Sequence, residues 1–189
     1  MKVAALCAPF LHFLLVRESV ALGSKSAIRR AIDLSKRANV DPALVGEACD
    51  LWESILGNGN GGDGAPDSLP LPRSAMPAAH AMHASTLVRG GMDRLAVGAY
   101  EKALSYLPDA GGAEMTREEF DIRMGLGRSR QRLLEYDIAA DVFLVAGRFR
   151  DEIPKSLRSA ATCMLRCGDV ERAIGILEDC RQDLSLIHI

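Results

Sequence analysis

The sequence predicts an all-α protein in which antiparallel helix–turn–helix pairs stack on one another. Apolar residues make up 48% of the chain but aromatic residues only 5%, a composition that favours close helix-on-helix packing. The stretch LAVGAYEKALSYLP at 95–108 places Ala96, Tyr100 and Ala103 on one face of a helix that stops at Pro108. Similar stretches follow at short intervals, and short connections make consecutive helices antiparallel neighbours.

Composition narrows the classes of function. The formal net charge of -2 lacks the basic excess that is usual in nucleic-acid-binding proteins, so no nucleic-acid partner is predicted. The five cysteines match no disulfide framework and no zinc-ligand spacing. We therefore interpret them mainly as small core side chains.

Residues 1–25 form an apolar N-terminal segment with two interpretations. Lys2 precedes an apolar run from Val3 to Val16, and small residues follow, which is the outline of a signal peptide. The run is too short for a stable transmembrane span, and a buried helix fits it equally. In the first interpretation, residues 1–23 target the protein to a secretory or organellar compartment. In the second, a cytoplasmic location is favoured.

Residues 26–57 predict a helical hairpin. Ser26 is expected to cap the first helix and Asp41 the second. The apolar stripe of the second helix contains the single tryptophan, Trp52, which we interpret as a core anchor. Residues 58–78, rich in Gly, Pro, Asp and Ser, are predicted to be a linker and the main internal boundary.

A small–large–small pattern recurs in the second helix of each of three pairs within residues 79–183. Such a triplet lets a partner helix approach at its ends and interlock at its middle. The triplets are Ala96, Tyr100 and Ala103; Ala139, Phe143 and Ala146; and Ala173, Leu177 and Cys180. The interval from the second triplet to the third equals the period of the tetratricopeptide repeat, whereas an insertion near 109–114 makes the first interval longer.

With Gly91 and Gly168 before the second helices, these triplets make residues 79–183 resemble three tetratricopeptide repeats. The resemblance implies a short solenoid whose first helices line a concave groove for a peptide or protein. It also implies a non-catalytic interaction scaffold or adaptor. The family's Lys/Asn clamp for chaperone tails is not reproduced, and Arg130 stands where an inward-packing side chain is usual.

Charge distinguishes the first helices of the second and third repeats. They are rich in Arg and Lys, whereas acidic residues gather on the second helices. If the first helices line the groove, it is basic and favours an acidic segment or a peptide carboxylate, which Arg can bind with two hydrogen bonds. The candidate ligand-binding residues are Arg128, Arg132, Lys155 and Arg158. A solvated basic face is the alternative interpretation of the same pattern.

No catalytic residues and no cofactor are predicted. His80 and His83 share a helix face but lack a third and fourth metal ligand, so we interpret them as a polar first turn after the linker. Cys163 and Cys167 lie one helical turn apart, and we interpret them as buried structural thiols, because reactive thiols need an exposed, electropositive setting.

The last six residues, LSLIHI at 184–189, depart from the helical pattern and resemble a non-native tail. This leaves an alternative function open. The helices would then be a regulatory helical-repeat region of a larger enzyme whose catalytic domain lies outside this chain.

Overall fold

The structure, a computed structural model, describes residues 22–57, 71–108, 115–149 and 152–187, with side chains from residue 26 to residue 181 within those ranges. The described chain is all-α, and neighbouring helices pack against each other in series, as the sequence predicts. None of its helices is both long and apolar enough to cross a membrane. The helices are α1 (Leu22–Arg37), α2 (Leu44–Gly57), α3 (Met76–Arg89), α4 (Asp93–Ser105), α5 (Arg117–Arg132), α6 (Tyr136–Ala146), α7 (Ile153–Cys167) and α8 (Val170–Ile187).

The chain divides into two compact units, unit 1 (Met1–Leu107) and unit 2 (Pro108–Ile189). Each contains four of the described helices. The sequence predicted the main internal boundary at 58–78, whereas the compact units divide between Leu107 and Pro108. Helix α3 packs on α2, so the first predicted repeat belongs to the same unit as the hairpin at 26–57.

The core of unit 1 lies among α1, α2 and α3 and surrounds Trp52. The indole is fully buried, which confirms the predicted anchor. The apolar side chains around it are Ile28, Ala31, Ile32, Leu56, Ala75, Met76, Ala78 and Ala79. Burying a large apolar side chain contributes about 2–3 kcal/mol, so Trp52 stabilises the packing of α1, α2 and α3.

A buried hydrogen-bond network, which we call the Ser35 network, links the same three helices. The indole Nε1 of Trp52 donates to Ser35 Oγ at 2.9 Å, and Thr86 Oγ1 lies 2.9 Å from the same hydroxyl. Arg89 Nη1 donates to the backbone carbonyl of Ser35 at 2.7 Å. Buried polar groups are costly without partners, so this network favours one register of α1 against α2 and α3.

Two predicted element boundaries in unit 1 are wrong. Helix α1 already begins at Leu22, which places Ser26 inside the helix rather than at its cap. The predicted linker ends earlier than residue 78, because a 3₁₀ turn (Arg73–Ala75) leads directly into α3. Pro77 fits the first turn of α3, where its missing N–H is tolerated, and the apolar side chains of Ala75 and Met76 pack on the core. Residues 58–70 and 1–21 lie outside the described residues.

Helix α5 opens unit 2 and has a side-chain cap at its N-terminus. Thr116 is the N-cap, and its Oγ1 accepts a hydrogen bond from Glu119 N at 3.1 Å. Phe143 of α6 is fully buried against α5, where a Cβ on Gly127 would lie 2.6 Å from its Cε1 atom. The close approach of α5 to α6 therefore requires glycine at position 127.

The small–large–small pattern is confirmed for two triplets and wrong for the third. All six side chains of the triplets on α4 and α6 are buried. In α8, Ala173 and Cys180 are buried, but Leu177 is exposed and Ile176 takes the buried central position. No helix in the described part of unit 2 follows α8 to cover Leu177. The predicted non-native tail is helical as far as Ile187, while 188–189 are outside the described residues.

Candidate peptide-binding surface

The four predicted ligand-binding residues lie on two strips, one on α5 and one on α7. Arg128 and Arg132 follow Asp121 and Gly125 at spacings of three and four along the less buried side of α5. On α7, Lys155 and Arg158 precede Thr162 and Arg166 along the open side of that helix. We call these two strips together the α5–α7 surface.

Side-chain contacts show that the two strips meet at the N-terminal ends of their helices. Arg117 Nη1 is 3.1 Å from Glu152 Oε1, just before α7, and Lys155 Nζ lies 5.7 Å from the centre of the Phe120 ring. Phe120 stacks on Phe149 with their ring centres 5.0 Å apart, and the Arg117 guanidinium lies over both rings.

Carboxylates neutralise this N-terminal end of the α5–α7 surface. Glu152 Oε2 lies 3.4 Å from Lys155 Nζ, and Asp121 is 3.3 Å from Arg117 Nε. These two acids lie beside the cations of the first helices, whereas the sequence places most acidic residues on the second helices. Lys155 is a predicted ligand-binding residue, but it is already paired inside the protein.

Two further arginines of α5 are also paired. Arg123 donates two hydrogen bonds to Glu119, the shorter at 2.7 Å. Arg130, the departure from the repeat pattern, is half-buried and places Nη1 2.9 Å from Glu135 Oε2. The ion pair with Glu135, just before α6, thus accommodates a charged side chain at a position where tetratricopeptide repeats usually have an inward-packing residue.

The remaining cations lie further along the two helices: Arg128 and Arg132 in the C-terminal half of α5, and Arg158 about one turn beyond Lys155 in the N-terminal half of α7. Helices α5 and α7 run in the same direction, since one helix separates them. Arg128 is eight residues beyond Phe120, so it lies about 12 Å further along the surface than Lys155. The structure therefore does not bring the four predicted residues to one point. Within the described residues, Arg128 and Arg158 have no ion pair, and Arg132 donates to Ser129 Oγ at 3.4 Å.

The histidine pair lies in unit 1 and is buried, so the predicted polar first turn is wrong. His80 and His83 are 4% and 8% exposed, and His80 stacks on Tyr106 with ring centres 5.4 Å apart. Burial, with Lys102 nearby, lowers the pKa of His80 to about 4. Burial also lowers the pKa of His83, against the opposing effect of Glu53, whose Oε1 is 3.9 Å from His83 Nε2.

The cysteines of unit 2 differ in their exposure to solvent. Cys163 and Cys180 are buried as predicted, but Cys167 is exposed. Burial, and then the neighbouring Cys167, raises the pKa of the Cys163 thiol to about 11, which leaves it protonated and unreactive at neutral pH. Among the described residues, no group of three or more His, Cys, Asp or Glu side chains is arranged to hold a metal ion.

Comparison of the chain with models of protein families, with curated proteins and with solved structures gave no match. Function is therefore inferred from the residues and contacts of this chain.

The sequence interpretation missed the aromatic and charged cluster where α5 meets α7. Two signals for it were present: Arg117 and Asp121 stand four residues apart, and Phe120 lies between them. The contact of this pair with Phe149 and Glu152 depends on tertiary packing, which spacing along the chain does not reveal.

Proposed function

We propose that unit 2 is a non-catalytic protein-interaction module of the tetratricopeptide-repeat type, and that its α5–α7 surface binds an acidic segment of a partner. Serial packing of α5 to α8 and the confirmed triplet of α6 support the repeat assignment. The acidic end of the segment lies over Arg128 and Arg158, beyond the carboxylates that neutralise the N-terminal end of the surface.

The proposal depends on one observation: some arginines of α5 and α7 are paired with carboxylates of the protein, and others are not. Arg117, Arg123 and Arg130 each face a carboxylate of the protein, at 3.1, 2.7 and 2.9 Å respectively. Arg128 and Arg158 have no such partner in the described chain, so their guanidinium groups are available to an external carboxylate. They are also outside the last turns of their helices, where basic side chains serve to stabilise the helix end.

The test is binding of a fluorescein-labelled octapeptide of Asp and Glu that ends in a free carboxylate, measured by fluorescence anisotropy on the full chain. We expect Arg128→Glu with Arg158→Glu to raise the Kd at least tenfold, which corresponds to about 1.4 kcal/mol. The control is Arg94→Glu, an exposed arginine of α4 in unit 1, which changes net charge by the same amount per substitution.

A second variant separates carboxylate recognition from general electrostatic attraction. Arg128→Lys with Arg158→Lys keeps both charges but loses the bidentate fork, so recognition predicts weaker binding. Binding that is equal in the wild type and the double Glu variant, with circular dichroism unchanged, would overturn the proposal.

A further inference from the structure

The exposed side of α8 carries three large apolar side chains in a row, which we call the α8 stripe. Val170, Ile174 and Leu177 stand at spacings of four and three, which places them on one helix face. Their exposed fractions are 51%, 51% and 44%. Single exposed apolar residues are common, but three aligned on one helix form a surface that can pack against another helix.

The preceding helix pair shows what kind of element covers this face. The positions one repeat period earlier are Tyr136, Ala140 and Phe143 of α6. Ala140 and Phe143 are fully buried, and Tyr136 packs against the same cluster. That cluster also contains Leu157, Ala160 and Ala161 of α7, so in this pair a helix covers the face. The α8 stripe is the equivalent face without such a helix in the described residues.

The acidic side chains beside the α8 stripe indicate what kind of helix could bind there. Glu171 and Glu178 are exposed, stand seven residues apart and border one edge of the stripe. Neither has an ion pair within the described chain, unlike Asp141 of α6, which is 3.0 Å from Arg172. A helix seated on the stripe would therefore gain from Lys or Arg on the edge that faces these two carboxylates. Helix α7 includes Lys155, Arg158 and Arg166 and no acidic side chain, so its sequence provides a basic amphipathic helix with which to test this surface.

We propose that the α8 stripe binds an amphipathic helix of a partner protein, with an apolar row against Val170, Ile174 and Leu177 and a basic edge against Glu171 and Glu178. This is a second interaction surface, opposite in charge to the α5–α7 surface and independent of the function proposed for it. Binding of an amphipathic helix to an apolar helical surface is a common mode of peptide recognition.

The probe is a fluorescein-labelled peptide with the sequence of residues 153–167, in which Cys163→Ser and Cys167→Ser prevent oxidation. It is titrated with the full chain and followed by anisotropy. We expect saturable binding, a tenfold or greater loss of affinity for Ile174→Asp, and a fivefold or greater loss for Glu171→Lys with Glu178→Lys. Since a helix this short is marginally stable in water on its own, peptide helicity should rise on binding.

Two matched controls accompany these variants. Ile138→Asp changes an apolar residue of α6 that is 42% exposed, and Asp179→Lys reverses an exposed acid on the other side of α8. Both should leave affinity within twofold of the wild type. All substituted positions are exposed, so circular dichroism should show the wild-type helix content for every variant.

Three results would overturn the proposal. The first is absence of saturable binding at the solubility limit of the peptide. The second is equal affinity for the wild type and Ile174→Asp. The third is a dimer of the chain, detected by sedimentation, that dissociates in Ile174→Asp while the affinity for the peptide stays unchanged. The occupant of the α8 stripe would then be a second copy of the chain.

Discussion

Units 1 and 2 are both series of packed helices, but their cores are built from different chemistry. The Ser35 network places hydrogen bonds among three helices at the centre of unit 1, and two imidazoles, His80 and His83, are buried nearby. The apolar core cluster of unit 2 has Phe120 and Phe143 as its largest members, and the buried hydroxyls of Ser129 and Ser156 bond to groups three or four residues away rather than to another helix. Apolar packing tolerates changes of partner, whereas a buried hydrogen bond fixes one register.

Because their cores differ, the two units should respond to different perturbations. Unit 2 depends on the volume that its large side chains fill, so truncation should harm it most. Unit 1 also depends on the protonation and pairing of buried polar groups, so pH and single-atom deletions should affect it more.

The largest effect is expected for Phe143→Ala in unit 2. The ring is fully buried against Gly127, and removing it leaves a cavity that the backbone contact prevents from closing. We expect the free energy of unfolding to fall by about 3–5 kcal/mol. Hydrogen exchange followed by mass spectrometry should locate this loss in α5 to α7.

The matched control is Leu177→Ala, which changes the equivalent position of the next repeat. Leu177 is exposed, so its truncation should cost less than about 1 kcal/mol. Equal losses for the two variants would mean that the repeat positions are packed alike, against the contrast that the structure shows.

Sequence reasoning predicted the helical fold and most of the core of unit 2, because helical periodicity is a local property. The triplets of α4 and α6 needed only spacing and side-chain size to be found. The central residue of α8 could not be predicted in the same way. Leu177 and Ile176 are adjacent and equally apolar, and which of them is buried depends on whether another helix covers α8.

The polar features of unit 1 were less accessible to sequence reasoning. Ser35, Thr86 and His80 are polar residues whose burial is set by the elements packed on them, and the Gly- and Pro-rich stretch at 58–78 suggested a domain boundary instead. For the α5–α7 surface, the sequence alone shows which side chains are cationic, but it does not show which of them are paired with a carboxylate. Only the contacts with Glu119, Glu135 and Glu152 separate the paired cations from Arg128 and Arg158.

The second largest effect is expected when acid is applied to unit 1. His80 has a pKa of about 4 in the folded protein and an ordinary value of 6.5. As pH falls from 6.5 towards 4, the unfolded chain therefore binds a proton that the folded chain does not, and stability is lost by about 2–3 kcal/mol. Urea unfolding at pH 7.5, 5.5 and 4.5, followed by fluorescence of Trp52 in unit 1, measures this loss.

His80→Phe tests the assignment, because it can keep the stacking on Tyr106 but cannot bind a proton. We expect this variant to lose less stability than the wild type between pH 6.5 and 4.5. His83→Gln is the comparison, and its effect should be smaller, since Glu53 opposes the lowering of the pKa of His83. The same pH dependence in His80→Phe and wild type would exclude His80 as the titrating group.

The smallest effect is expected for Ser35→Ala, which removes one oxygen from the Ser35 network. Thr86 keeps a hydrogen bond to the Met82 carbonyl at 2.9 Å, but the Trp52 indole N–H loses its acceptor in a buried site. We expect a loss of about 1–2 kcal/mol and a change in the NMR shift of the indole proton. Ser159→Ala in α7 is the control, because the hydroxyl of Ser159 bonds only to its own helix, at Lys155 O, and this loss should stay within about 0.5 kcal/mol. If both substitutions cost the same, the bond between helices would contribute no more than a bond within one helix, and the contrast between the two cores would then rest on the histidines alone.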